Sequence, residues 1–333
     1  MIVDNETAKQ HLLGALKSRR AVLLAGSGSS KFVGYPLWNQ LAEEMRERFA
    51  PHLTRTADMS AMTFAGRIVE EIRGNDQLQD YHNFLDRRFE PRPDRAKQHD
   101  DFHVALVQLG FCGLVTTNYE DVIESAAIEA YTSDVGPWRC DHLDLCQRRS
   151  YRVFDFFRSL ATGDRPRWVL HLHGHHSNPE GIILTEEDYL RNYGEQPVYD
   201  EHGRAQNVRL DSLHRKVLWT LFATHPLVFV GFSLEDGFFN HMLRVVRDDF
   251  ELGSDPAHYA LMGATTDEDR KRIWEYLRLR NTMPIFYHVP EVHEGQEQDH
   301  SDLKRLINEL AAEVGVTSVS GGMESITRRM LEL

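Results

Sequence analysis

The sequence predicts an α/β fold, a parallel sheet flanked by helices with a smaller helical insertion. Three observations predict it. Six short apolar runs recur, at residues 21–25, 112–117, 168–172, 227–230, 259–262 and 284–287. Stretches with helical spacing separate them, and apolar strands alternating with helices make a parallel sheet covered on both faces. Small and polar residues follow four of the runs, at the strand ends where open parallel sheets bind ligands.

Taken in order, residues 6–19 place Ala8, Leu12, Ala15 and Leu16 on one helical face, with Asp4 or Asn5 available as a cap. The first apolar run ends in Gly26-Ser27-Gly28-Ser29-Ser30, a buried strand entering a glycine-rich turn. Trp38, Leu41, Ala42, Met45 and Phe49 then repeat at helical spacing. Residues 59–73, 76–88 and 100–109 read as helices, broken by Gly74-Asn75 and by Pro91 and Pro93. With no strand among them, residues 40–110 form a helical cap beside the sheet. A helix begins near Tyr119, and others fall at 150–162, 207–223, 235–248, 266–279 and 301–314. Residues 194–206 and 290–301 read as polar loops. The expected division is one catalytic domain over 1–315 and a C-terminal extension over 316–333.

Composition narrows the function. With 41% hydrophobic and 27% charged residues in 333, the chain is neither a coiled coil nor disordered. No run nears the roughly 20 apolar residues of a membrane helix. Residues 1–6 lack the basic and apolar regions of a secretory signal. Cys112, Cys140 and Cys146 are too few and odd in number for a disulfide framework, which fits a reducing cytoplasm. The 38 basic and 51 acidic side chains leave a net charge of -13, which repels a phosphate backbone, so nucleic acid is not an expected partner.

The chemistry follows the strands. After the first stands the glycine-rich turn; after the second, Asn118-Tyr119-Glu120-Asp121; after the third, His173-Gly174-His175-His176. After the fourth stands Gly231-Phe232-Ser233-Leu234-Glu235-Asp236. The glycine turn suits a pyrophosphate, because backbone N–H groups can approach it. Lys31 excludes both a Walker A ending and a full G-x-G-x-x-G. A tight turn with no ligand fits the same residues. Asn118 reads either as a helix cap or as an amide that orients a ribose or a water. His171, His173, His175 and His176 suggest zinc spacing, but no cysteine pair supports it and His171 lies inside an apolar run. No metal is therefore expected. His173, opening a glycine-containing loop at a strand end, suits a general base. Glu235 and Asp236 open a helix, where either a ligand or a cap uses a carboxylate.

These four motifs in this order resemble the sirtuin-like superfamily, its NAD-consuming antiphage-defence branch more than its protein deacylases. The resemblance runs from Ala21 to about Asp236 and continues to Tyr287. It is carried by Ala25-Gly26-Ser27-Gly28-Ser29 with Gly34-Tyr35-Pro36-Leu37-Trp38, by Thr116-Thr117-Asn118-Tyr119, by Leu172-His173-Gly174 and by 231–236. It implies a Rossmann-like domain with Asn118 and His173 as the catalytic pair. It implies that NAD is bound as substrate by Ala25, Gly26, Ser27, Gly28, Ser29 and Ser30 at the pyrophosphate. Pro36 and Trp38 would cover the nicotinamide side, with Gly231, Phe232 and Ser233 near the adenosine ribose and Thr117 and Asp236 completing the set. Two departures stand out. Glu120 replaces the usual aspartate after Asn-Tyr, with Asp121 next, and the paired Cys-x-x-Cys zinc module of deacylating sirtuins is missing.

The chemistry fits that resemblance. Breaking the nicotinamide–ribose bond passes through an oxocarbenium-like state. The pyridinium leaves as neutral nicotinamide and needs no general acid, so the protein has to position water and ribose. The expected activity is that of an NAD+ glycohydrolase, releasing nicotinamide and ADP-ribose as the NAD-depleting effector of a bacterial antiphage abortive-infection system. The alternatives are an NAD-dependent protein deacylase and a non-catalytic nucleotide-binding regulatory subunit. The resemblance further implies a cytoplasmic homo-oligomer away from membranes, silent until a separately encoded activator or sensor, such as a HerA-type ATPase, engages it.

Overall fold

The computed structural model describes residues 4–132, 136–147, 152–194, 198–199, 205–206, 212–232, 236–252, 256–291 and 298–315. Among them the strands are β1 Val22–Ala25, β2 Gly113–Thr116, β3 Asp141–Asp144, β4 Trp168–His171, β5 Val198–Tyr199, β6 Ala205–Gln206, β7 Leu227–Val230, β8 His258–Ala264 and β9 Thr282–His288. Seven of these form one parallel sheet in the order β3-β4-β2-β1-β7-β8-β9, while β5 and β6 pair antiparallel.

The six expected strands are present; the short β5–β6 pair falls in the expected 194–206 loop, and β3 is an additional strand of the main sheet. Its sequence, Asp-His-Leu-Asp, has no apolar run, and it lies at the sheet edge, where one side needs no partner strand. Pro284 sits in β9 at the opposite edge, where strand prolines are tolerated.

Side chains alternate across the sheet. Leu23, Ala25, Leu114, Val169 and Ile285 pack on one face against helices Asn5–Lys17, Asp101–Gln108, Val122–Tyr131 and Ser301–Val314. Val22, Leu24, Val115, Leu170 and Phe229 pack on the other against Arg152–Thr162, Glu186–Tyr193, Leu213–Thr224 and Gly237–Asp249. A third core joins helices Trp38–Phe49, Ala61–Gly74 and Leu78–Phe89, through Leu41, Met45, Phe64, Ile68 and Phe89, to Tyr119 and Ile182 from the sheet loops. Each such side chain contributes about 1.5–3 kcal/mol on burial, enough together to seat the helical insertion beside the strand ends.

Two helical details depart from expectation. The helix placed near Tyr119 begins at Val122, because 117–121 form a turn first. Helix Glu186–Tyr193 is new, started by a box in which Thr185 accepts from the Asp188 amide and Asp188 accepts from the Thr185 amide. No helix among the described residues is long and apolar enough to cross a membrane.

The chain leaves β1 toward β2 on one side and β7 toward β8 on the other. Connections that diverge in this way open a crevice beyond the strand ends, the usual ligand position in such sheets.

Candidate active site

The four motifs sit at one end of four adjacent strands, β4, β2, β1 and β7. Register aligns Ala25 with Thr116 and Val230, and Thr116 with His171. The residues just beyond therefore converge on one cavity of about 670 Å³. Ser27, Gly28, Ser30, Pro36, Trp38, Thr117, Asn118, His173, Gly231, Phe232 and Asp236 line it. Ala25, Gly26 and Ser29 are not among the lining residues and lie beneath the floor. Ser233, Leu234 and Glu235, like the expected extension at 316–333, lie outside the described residues. Arg55, Met62 and Phe89 reach the cavity from the insertion, and Tyr287 and His300 from its other end.

The floor under β1 and β7 is made of backbone. Gly26 N donates to Val230 O at 2.9 Å and Gly28 N to Gly231 O at 2.9 Å. A Cβ at Gly26 would meet Gly231 O at 2.6 Å, and one at Gly231 would collide with Ser29 N. Gly231 also has φ +65°, a conformation that side chains disfavour. The amides of Gly26, Gly28 and Ser29 are thus used inside the protein. Ser27 and Gly28 are the members of the turn that present their surface beside Ser30. His103, from helix Asp101–Gln108, bonds Ser29 O at 3.0 Å and steadies the turn from behind.

The floor under β2 and β4 is made of side chains. Asn118 caps no helix. Its Nδ2 lies 2.9 Å from Ser30 Oγ, 2.9 Å from Glu120 Oε1 and 3.3 Å from Gly26 O. Ser30 Oγ in turn donates to Glu120 Oε1. Glu120 therefore holds the asparagine, whereas Asp121 turns away to His175 and His176. Among the described residues Asn118 Oδ1 has no partner, so its acceptor is open beside the cavity.

His171 fixes the backbone of this turn. Its Nδ1 bonds Asn118 O at 2.8 Å and its Nε2 bonds Glu124 at 2.6 Å, so both nitrogens act as donors. Burial pulls the imidazole down, but Glu124 overcomes it and raises His171 to about 9. His173 is the opposite case. It is fully buried, and burial, with a smaller contribution from the neighbouring His214, pushes it down to about 3. Its buried Nε2 has no partner among the described residues, and its Nδ1 lies 3.5 Å from Tyr189 Oη. The imidazole is therefore neutral, with a lone pair available on its unprotonated nitrogen.

The expected role of Asp236 at the ligand is joined by a cap. Its Oδ1 accepts from the amides of Phe238 and Phe239, and its Oδ2 from Tyr189 Oη at 2.7 Å. Tyr189 was not foreseen. The Thr185-x-x-Asp188 box just before it was the available signal.

The remaining histidines form a separate cluster. His175 and His176 both bond Asp121. Asp121, His142 and His175 bring ligand-type atoms within 4.8 Å of one another. The His142 and His175 rings are stacked, with centroids 3.9 Å apart and planes 7° from parallel. Their in-plane lone pairs consequently run side by side and do not converge on one ion.

The profile of the SIR2-like domain family matches residues 113–282, just over half of the chain. The match contains Asn118, His173 and the turn after β7. The chain is 23% identical over 258 residues to Defense-associated sirtuin 2 of Bacillus subtilis, which covers 74% of this chain and 21% of that protein. It is 24% identical over 245 residues to NAD(+) hydrolase ThsA of Bacillus cereus strain MSX-D12, covering 73% of this chain and 43% of that one. The chain therefore spans less than half the length of either relative.

Proposed function

From the premise that this chain belongs to the SIR2-like domain family, we propose that it is an NAD+ glycohydrolase. The observation that carries the reading is that Asn118 and His173 both line one cavity with a glycine-built floor, and that among the described residues Asn118 Oδ1 and the buried His173 Nε2 have no partner. Trp38, on the side expected to cover nicotinamide, adds a buried indole Nε1 without a partner among the described residues. The likeness to a protein named NAD(+) hydrolase supports the same substrate.

In this mechanism the C1′–N bond of NAD+ breaks, and its electron pair restores a neutral nicotinamide. Water attacks the oxocarbenium-like C1′ to give ADP-ribose. Asn118 Oδ1 holds the water or a ribose hydroxyl, and His173 Nε2 accepts the proton released. General-base help of this kind contributes about 10²–10⁴-fold. Glu120 and Ser30 keep the asparagine amide in place, and the His171–Glu124 pair holds its backbone.

We propose further that the enzyme is the NAD-depleting effector of an antiphage abortive-infection system, a cytoplasmic homo-oligomer activated by a separately encoded sensor such as a HerA-type ATPase. A relative named for defence supports the setting. The test is to incubate the chain with NAD+, alone and with the product of a neighbouring gene, and to quantify nicotinamide and ADP-ribose. Equal release of both supports the reading. Release only with an acyl-lysine peptide favours a deacylase, and binding without turnover a regulatory subunit.

A further inference from the structure

We infer that Tyr189 and Asp236 form a positioning pair that fixes the tautomer of His173, so that the nitrogen away from Tyr189 stays an acceptor. The inference rests on the hydrolase reading only for its kinetic consequence. Its structural content stands on the geometry.

Asp236 accepts at both oxygens, from the Phe238 and Phe239 amides at 2.9 and 3.2 Å and from Tyr189 Oη at 2.7 Å. Burial raises its carboxyl, while the Tyr189 hydroxyl and the two amides pull it back. Tyr189 has one proton, and it points to Asp236. Its oxygen therefore offers only lone pairs to His173 Nδ1, 3.5 Å away. A neutral imidazole carries one N–H, and this contact puts it on Nδ1. Nε2 then holds the lone pair, as a general base requires. Hydrogen bonds in ligand-free active sites are often long and tighten on binding.

The alternative tautomer is disfavoured by the same atoms. Were Tyr189 to donate to His173, Asp236 Oδ2 would be left buried without a donor. The ring is also clamped against rotation. Tyr189, Tyr193 and Phe239 meet it edge-on, with centroids 5.1, 5.9 and 5.9 Å away. The other titratable group set against it is His214, which burial pushes down to about 4 and keeps neutral. Tyr189 owes its position to the Thr185–Asp188 box, and Asp236 owes its own to the helix it caps. Two helix starts thus aim one imidazole.

The test substitutes Asp236→Asn. The amide oxygen keeps the cap, while Nδ2 donates to Tyr189 and turns the phenol proton toward His173 Nδ1. The N–H then moves to Nε2. Nitrogen-15 NMR of the histidine-labelled full chain reads this directly, with the His173 signals assigned by their absence in His173→Gln. The expected result is an Nδ1–H imidazole in the parent and an Nε2–H imidazole in Asp236→Asn. Nicotinamide release should fall by about 10²-fold or more, as a wrong tautomer does in other histidine-dependent hydrolases, with KM within about twofold. Tyr189→Phe, which removes the contact without reversing it, should give mixed tautomers and a smaller loss. An Nε2–H imidazole in the parent, or an unchanged tautomer in both variants, overturns the inference. The NMR result holds whether or not the chain cleaves NAD+, so failure of the pair and failure of the hydrolase reading are distinguishable.

Discussion

The two halves of the cavity floor are made in opposite ways. Under β1 and β7 the floor exists because side chains are missing, with Gly26, Gly28 and Gly231 in backbone contact. Under β2 and β4 it exists because polar side chains are buried together, in two hydrogen-bonded sets, Asn118 with Glu120 and Ser30, and His173 with Tyr189 and Asp236. The difference teaches where each half is vulnerable. Adding atoms damages the glycine half, so its shape and its binding should fail together. Removing atoms damages the side-chain half, so its chemistry should fail while the sheet remains.

The largest effect tests the side-chain half. His173→Ala should reduce nicotinamide release by about 10²–10⁴-fold. Combined with Asn118→Ala it should be little worse than either alone, since groups acting as one unit are not additive. His175→Ala and His176→Ala, which face Asp121, should be milder. Equal losses from all three histidines would dissolve the distinction between the site and the neighbouring cluster.

The next test breaks the glycine half. A valine at Gly28 would place its Cβ 2.9 Å from Gly231 O and 3.0 Å from Gly231 Cα. Both neighbours are backbone and cannot rotate away. Gly28→Val should therefore lower the melting temperature and the NAD+ affinity together, read by calorimetry on one sample. Lost affinity at an unchanged melting temperature would contradict the backbone account.

A pH series sharpens the comparison. His173 is held at about 3, and His214 and His258 at about 4, each mainly by burial. Their unfolded forms take protons near 6.5. Between roughly 6.5 and 4 the unfolded chain binds more protons than the folded one, so stability falls as pH falls through that window. His171, raised to about 9, has the opposite sign and loses its contribution as pH rises from about 6.5 toward 9. Melting temperature should peak near neutrality. Per folded molecule, acid down to about pH 5 should leave His173 neutral and any activity that depends on it unchanged. An activity loss centred near 6.5 in still-folded protein would contradict its depressed value.

The smallest effect is expected at His142. It makes no hydrogen bond among the described residues and stacks half-exposed on His175. His142→Ala should shift stability by only about 0.5 kcal/mol or less, as surface changes usually do, and leave turnover unchanged.

The same comparison explains what the sequence disclosed. The glycine half is local, because each glycine follows its strand by one to three residues and meets a second strand-end loop. The strand ends carrying Asn118 and His173 were legible for the same reason. The partners that hold the side-chain half come from afar. Glu120 meets Ser30 across 90 positions, and Asp236 meets Tyr189 across 47. Tyr189 sits on an eight-residue helix whose apolar pattern is too brief to stand out. The capping reading of Asn118 was overturned by tertiary structure, since the turn before Val122 frees its amide to reach Gly26, Ser30 and Glu120. The edge strand β3 was hidden by its polar sequence.

The most direct test of the central claim measures NAD+ binding and nicotinamide release on the same folded sample of Asn118→Ala. The account predicts a melting temperature within a few degrees of the parent, retained NAD+ binding, and release reduced to background. A folded Asn118→Ala protein that cleaves NAD+ at the parent rate would contradict it.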